Sequence, residues 1–252
     1  MSFDVAADAY DRFMGRYSQP LGPQLADFAE VRAGQRALDV GCGPGALTSE
    51  LVARLGADAV AAADPSEPFV QAARRRHDGV EVAVAGAEDL PFDDGAFDVA
   101  LAQLVVSFMS DPVAGLGEMR RVTRDGGIVA ACVWDHAGGQ TPLSAFWEAV
   151  RETDPGARDE SAQQGAREGQ LAELFEAAGL ADVQDAALSV RAEHASFEEW
   201  WEPFTLGVGP AGLYVAGLDD DDRLELRERC RRLLGDGPST LTARAWAARG
   251  RA

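Results

Sequence analysis

The sequence predicts an α/β protein built on a parallel sheet that is wound with helices on both faces. Three observations carry this reading. Between residues 37 and 133, short apolar and β-branched runs alternate with segments whose apolar residues recur every three or four positions. The apolar runs are continuous, as strands covered on both faces must be. The first run ends in Gly41-Cys42-Gly43-Pro44-Gly45 and passes directly into a helical pattern, the place where an open α/β sheet binds a nucleotide-like ligand.

The elements follow in order. Ala37–Val40 reads as a strand and Ala46–Leu55 as a helix with Leu47, Leu51, Val52 and Leu55 on one face. Ala59–Ala63 is a strand of small residues. Glu67–Arg76 is a helix with Phe69, Val70 and Ala73 inward and its arginines outward. Val80–Ala85 and Phe97–Ala102 are strands, the second followed by a helix carrying Leu116, Met119 and Val122. Ile128–Val133 is a continuous apolar strand. Beyond Trp134 the pattern loosens. Residues 138–142 form a loop, Leu143–Glu152 a helix, and Thr153–Gly165 a polar segment expected to be mobile. Leu171, Leu174, Phe175 and Ala178 make a helical stripe stopped by Gly179. Val183–Val190 is a strand, residues 196–234 are helical with aromatics at Phe197, Trp200, Trp201 and Phe204, and Leu241–Ala247 is a last strand before a frayed terminus.

The 252 residues, 46% hydrophobic and 26% charged, suit a soluble chain with one large α/β domain and an appendage, or two small domains. A net charge of −19 argues against nucleic acid and against an anionic membrane surface, both of which need clustered cations. All 23 basic residues are arginine, so no lysine can form a Schiff base or a P-loop phosphate contact. Cys42, Cys132 and Cys230, with His77, His136 and His194, are too dispersed for a disulfide framework or a metal site, and no metal is expected. His77, after an arginine run on an outer helix, is read as a surface residue. The acidic Met1-Ser2-Phe3-Asp4 lacks a charged-then-apolar leader pattern, and no apolar run is long enough to span a bilayer; a cytoplasmic protein is expected.

Gly41-x-Gly43-x-x-Ala46, with Asp64 at the end of the next strand, is compatible with NAD and with S-adenosylmethionine, since each carries an adenosine ribose whose diol a carboxylate can bind. Pro44 separates them. A pyrophosphate on this turn needs backbone N–H donors at the helix start, and proline removes one. S-adenosylmethionine has no phosphate and needs an acceptor for its ammonium group. Asp39, just before the glycines, is available for that role or for bracing the turn.

Four ordered blocks in residues 30–134 then resemble the class I S-adenosylmethionine-dependent methyltransferases, in particular the small-molecule group that includes the quinone-biosynthesis C-methyltransferases. They are Leu38–Gly45, Ala63–Ser66, Ala87–Phe92 with Phe97–Val99, and Glu118–Val122 with Asp125–Gly127. Tyr10–Tyr17 is similar to a leader found in one bacterial branch. The resemblance implies a Rossmann-like, doubly wound, mostly parallel seven-stranded sheet with an antiparallel last strand and a helical lid inserted before it. It implies one methyltransferase domain over 1–252, with an N-terminal helical cap (1–30), a cofactor half (31–134) and an acceptor half (135–252) whose lid spans about 196–234. It places Asp39, Gly41, Cys42, Gly43, Gly45, Asp64, Pro65, Gly86, Ala87, Glu88, Gln103 and Tyr10 at S-adenosylmethionine. One position departs from the family, which has an acid where this chain has Gly86. Adenine recognition then falls to the backbone of Gly86–Ala87 or to Glu88.

The resemblance implies in-line displacement of the sulfonium methyl group by a small-molecule acceptor, with positioning and desolvation as the protein's main work. A base is needed where the acceptor must lose a proton. His136, just past a strand end, is the candidate, with Tyr17, Trp134, Trp200 and Trp201 as candidate acceptor-pocket residues. Trp200 and Trp201, adjacent on a helix, cannot share a face, so one is expected in the core and the other over the pocket. A cofactor-binding sensor or scaffold without methyl transfer, and an NAD-linked oxidoreductase, are the competing readings.

Overall fold

The computed structural model describes residues 7–252. Met1–Asp4, where no leader pattern is read, and the first six positions of the N-terminal cap lie outside them. The chain runs α1 (Ala7–Tyr10), a π-helical turn (Asp11–Gly15), α2 (Arg16–Phe28), β1 (Ala37–Val40), α3 (Ala46–Leu55), β2 (Val60–Asp64), α4 (Glu67–Arg76), β3 (Glu81–Val84), β4 (Phe97–Gln103), α5 (Pro112–Val122) and β5 (Thr123–Trp134). It continues through α6 (Ser144–Arg151), α7 (Gln170–Ala177), β6 (Ala181–His194), α8 (Phe197–Trp201), α9 (Gly209–Ala216), α10 (Asp220–Leu234) and β7 (Ser239–Arg251).

The seven strands form one sheet in the order β3-β2-β1-β4-β5-β7-β6. Pairings among β1 to β5 are parallel, and β7 is antiparallel to both neighbours. Side chains alternate across the central strands as period-two geometry requires. Ala37, Val99, Leu101, Ala130 and Cys132 face a core built with Leu21 and Leu25 of α2, Leu47 and Leu51 of α3 and Phe146 of α6. Leu38, Val40, Ala100, Ala102, Val129 and Ala131 face the opposite core, with Leu116 and Met119 of α5 and Phe175 of α7. Because both faces are covered, these strands read as unbroken apolar runs. The strand order reverses between β1 and β4, which opens a crevice at their carboxyl ends.

Three local expectations need correction. The terminus is not frayed: β7 pairs with β5 as far as Arg251 against Ile128, and the Ala252 amide donates to Gly127 O at 3.1 Å. β6 runs through His194 rather than ending at Val190. Residues 153–165 are not an unstructured polar stretch: Asp159 accepts the Ser161 amide at 2.9 Å, capping a 3₁₀ turn over Glu160–Ala162 that carries the Glu160 side chain inward.

Candidate functional site

The glycine turn needs its glycines for backbone reasons. Gly41, Gly43 and Gly45 have φ of 69°, 53° and 98°, values that cost an L side chain energy. The amides of Gly41 and Cys42 donate to Ala63 O at 2.7 and 3.1 Å, tying the end of β1 to that of β2. The Gly43 amide donates to Asp64 Oδ2 and the Ser66 amide to Asp64 Oδ1, both at 2.8 Å. Asp64 therefore braces two loops while keeping a second lone pair on each oxygen.

Gly45 is also closed in sterically. A Cβ there would lie 2.7 Å from His77 Nε2. His77 is not an idle surface residue: its Nε2 lies 3.1 Å from Gly45 O and 3.3 Å from Ser49 Oγ, so the ring seals the outside of the turn. Burial lowers its pKa, which keeps the ring neutral. Gly45→Ala is expected to destabilise the protein by about 2–3 kcal/mol, combining a strained φ with the clash. Urea unfolding measures this, and a loss below about 0.5 kcal/mol would contradict the account.

A cavity of about 620 Å³ opens at this turn. Tyr10, Asp39, Gly41, Cys42, Gly43, Asp64, Pro65, Gly86, Ala87, Glu88 and Gln103 all line it. Gly45 does not; it starts α3 behind the wall. Asp39 Oδ2 accepts the Thr48 hydroxyl at 2.6 Å, while its Oδ1 is buried with no hydrogen-bond partner. Gln103 Nε2 donates to Ser18 O at 2.9 Å, leaving Gln103 Oε1 and Ser18 Oγ without partners. Asp39 and Gln103 sit on the paired strands β1 and β4, and with Ser18 they belong to the lining of the cavity. Sequence reasoning missed Ser18, whose burial follows from α2 packing on the sheet. Burial pushes the Asp39 carboxyl up to about 7, the Thr48 bond opposes this, and the nearby Asp64 charge adds to it.

The other end is shaped by Glu88, whose Oε1 accepts the amides of Ser110 at 2.7 Å and Asp111 at 3.3 Å. A Cβ at Gly86 would lie 3.3 Å from Glu88 Oε2, a tight contact, so the Glu88 carboxylate crowds the position where the family carries an acid. Cys42 is buried, and burial holds its thiol protonated. Tyr10 covers the cavity with its ring edge-on to Phe69 at 5.4 Å, and the Asp11–Arg76 ion pair fastens this segment to α4.

A second, smaller pocket of about 50 Å³ shares Tyr10, Leu104 and Phe108 with the first. Trp134 and His136 line it, and so does Glu160. Burial lowers the His136 imidazole to about 4, so at neutral pH it is an uncharged acceptor or donor. Glu160 is 3% exposed, and burial raises its carboxyl to about 7. Its Oε2 has no hydrogen-bond partner. Nothing in the sequence singled it out, because an acid in a polar segment looks solvated until the segment folds.

Tyr17, Trp200 and Trp201 line neither space. Tyr17 is buried against Trp134, and its hydroxyl lies 2.8 Å from His194 Nε2. Arg16 approaches His194 Nδ1 at 3.3 Å and bonds Glu199 at 2.8 Å. That set suits a neutral imidazole donating from Nε2 to the tyrosine, and burial lowers the His194 pKa to about 4. Trp200 and Trp201 are both buried, against the expectation that one would cap the pocket. Their helix is only five residues long, and its aromatics pack together with Phe204 on both sides. Among the described residues no group of acids, histidines and cysteines could hold a metal ion, and no helix is long and apolar enough to cross a membrane.

A model of the methyltransferase domain matches residues 38–131. Malonyl-[acyl-carrier protein] O-methyltransferase of Erwinia billingiae is 34% identical over 147 residues, covering 58% of this chain and 57% of that protein. Demethylmenaquinone methyltransferase of Clavibacter sepedonicus is 38% identical over 138 residues, 52% of this chain and 55% of that protein. The chain thus spans little more than half the length of these curated relatives. The fold is similar to that of geranyl diphosphate C-methyltransferase from Streptomyces coelicolor A3(2), solved with S-adenosyl-L-homocysteine, at a TM-score of 0.56 and 16% identity over 94% of this chain and 80% of that one.

Proposed function

We propose that this chain, whose residues 38–131 match a methyltransferase domain, belongs to the class I S-adenosylmethionine-dependent family and transfers a methyl group from that cofactor to a small organic acceptor. The observation that carries the reading is the cluster of buried acceptors without partners, Asp39 Oδ1, Gln103 Oε1 and Ser18 Oγ, on the wall of the large cavity. Buried polar atoms are normally satisfied. A ligand ammonium group, with three donors and a positive charge, would satisfy all three and offset the Asp39 charge. A pyrophosphate would meet acids instead. The ribose hydroxyls would be held by Asp64 and the adenine by the Gly86–Ala87 backbone or Glu88.

When bound, the cofactor supplies an electrophilic methyl group with its leaving group attached. The protein's own residues position and exclude water: Tyr10 and its segment cover the site, and the shared wall of Tyr10, Leu104 and Phe108 sets the second pocket beside the first. The N-terminal helices and the helices of residues 196–234 would serve as the acceptor-side cap and lid. His136 is the base candidate from sequence, but burial makes it a weak one. The net charge of −19 supports a small-molecule acceptor over nucleic acid.

Thermal unfolding tests the cofactor. S-adenosylhomocysteine at 100 times its dissociation constant is expected to stabilise the protein by about 2.7 kcal/mol, and NAD to do nothing. Stabilisation by NAD alone would sink the reading. Turnover of labelled S-adenosylmethionine with a small-molecule extract separates an enzyme from a sensor: a protein that binds the cofactor yet labels no product is the sensor.

A further inference from the structure

We propose that the small pocket takes its acceptor as an organic ammonium ion, with the Glu160 carboxylate as counter-ion and proton acceptor within walls formed by Tyr10, Phe13, Phe108 and Trp134. The inference deepens the methyl-transfer reading above and rests on it.

Glu160 is an acid with no reason to be buried unless something compensates it. It is 3% exposed, lines the pocket, and its Oε2 has no hydrogen-bond partner. An unpaired charge in a buried site is strongly disfavoured and is either compensated or neutralised. Its folded carboxyl accordingly titrates near 7. No arginine lines the pocket among the described residues, and the chain has no lysine. The pocket therefore holds no cation for the acid, whose hydrogen-bonding neighbours, the Trp147 indole and its own backbone amide, are uncharged.

The walls point the same way. Four aromatic residues line a largely apolar space, and an aromatic ring that turns its electron-rich face to a desolvated organic cation attracts it. An anionic acceptor would meet Glu160 with no cation to receive it. A neutral alcohol would give Oε2 a hydrogen bond but leave the charge uncompensated. Only a cation answers both the orphan oxygen and the buried acid.

The same carboxylate resolves what an ammonium acceptor requires. A protonated nitrogen has no lone pair to donate. Transfer of one N–H proton to Glu160 Oε2 breaks that bond, forms the carboxylic O–H and leaves the lone pair on nitrogen. His136, held neutral beside it, adds no repelling charge.

The test uses the full chain loaded with S-adenosylhomocysteine and three probes of equal length: butylamine, butan-1-ol and butyrate, read by calorimetric titration. Butylamine is expected to bind about tenfold more tightly than either of the others, a preference set by the buried acid. Glu160→Gln keeps the shape and removes the charge. It should erase that preference and leave the S-adenosylhomocysteine affinity within about twofold, which also shows that the variant folds. Glu160→Asp, with its charge retained, should keep part of the preference. Equal binding of the alcohol, tighter binding of butyrate, no butylamine binding by loaded protein, or an unchanged preference in Glu160→Gln would each overturn the proposal. Failure to bind S-adenosylhomocysteine at all would instead overturn the reading beneath it.

Discussion

Asp39→Asn should weaken S-adenosylhomocysteine binding by about 100-fold and make it independent of pH between 6 and 8. The amide can still accept the Thr48 hydroxyl bond seen at 2.6 Å, so the β1–α3 joint is retained. What is lost is the charge shared with the partnerless Oδ1 of a residue that lines the cavity. A charge-assisted hydrogen bond in a buried site is worth roughly 2–3 kcal/mol, which sets the fold-change. If Asp39 only braced the turn, Asn would serve equally well and the affinity would hold. The substitution thus separates the two roles the sequence left open for this residue.

The pH dependence follows from the sign of the Asp39 shift. In the empty protein its carboxyl sits near 7, above the ordinary value of 3.8, because burial penalises the charged form. Its contribution to folding stability is therefore fully present below about pH 4 and is lost as pH rises through 7. Binding an ammonium group asks for the opposite state. Below pH 7 the ligand must displace a proton, and affinity should fall about tenfold per pH unit; above pH 8 it should level off. The acidic neighbour is Asp64, whose carboxyl burial pushes above its ordinary value, with its bonds to the Ser66 and Gly43 amides opposing the shift. Wild-type affinity that is flat from pH 6 to 8 would show that Asp39 does not meet the cofactor's charge.

The first half of the molecule was readable because its physics is one-dimensional. Ala37–Val40 and Ile128–Val133 are covered on both faces, so hydrophobicity alone marks them, and α3 and α5 carry a stripe at helical spacing. β6 shows a signal that was available but cut short. Leu188, Val190, Ala192 and His194 are buried while Ser189, Arg191 and Glu193 are exposed, a period-two pattern that continues past Val190. Other features have no local signal. Glu160 becomes a buried acid only when the 3₁₀ turn at 160–162 carries it into the wall of the small pocket, and His77 meets Gly45 across 32 positions of sequence. The rule that adjacent helical residues face apart misplaced one of Trp200 and Trp201, because a helix of five residues can be buried on all sides by what surrounds it. The cofactor side was therefore legible as a motif, whereas the acceptor side is made by tertiary packing.

That packing has a centre, and removing it should cost more than any other single side chain considered. Phe204 is 3% exposed and joins three parts of the chain. Its ring stacks on Phe146 of α6 with centroids 4.7 Å apart, meets Phe13 of the N-terminal segment edge-on at 5.3 Å, and touches Trp200 of α8 at 4.7 Å. Phe204→Ala removes the shared surface of all three and leaves a cavity that these large rings cannot fill by small shifts, so a loss of about 3–5 kcal/mol is expected in urea unfolding. The effect should reach the acceptor side as well. Phe13 lines the small pocket, and the Arg12–Glu202 ion pair is the neighbouring tie between the same segments. An exposed ion pair of that kind contributes at most about 1 kcal/mol and cannot hold the segment alone. Phe204→Ala should therefore weaken butylamine binding more than S-adenosylhomocysteine binding, since the acceptors at Asp39 and Gln103 sit on β1 and β4 and do not depend on the lid. Phe204→Leu, which restores most of the volume, should recover more than half of the lost stability. A destabilisation below about 1 kcal/mol for Phe204→Ala would mean that the three segments dock through other contacts.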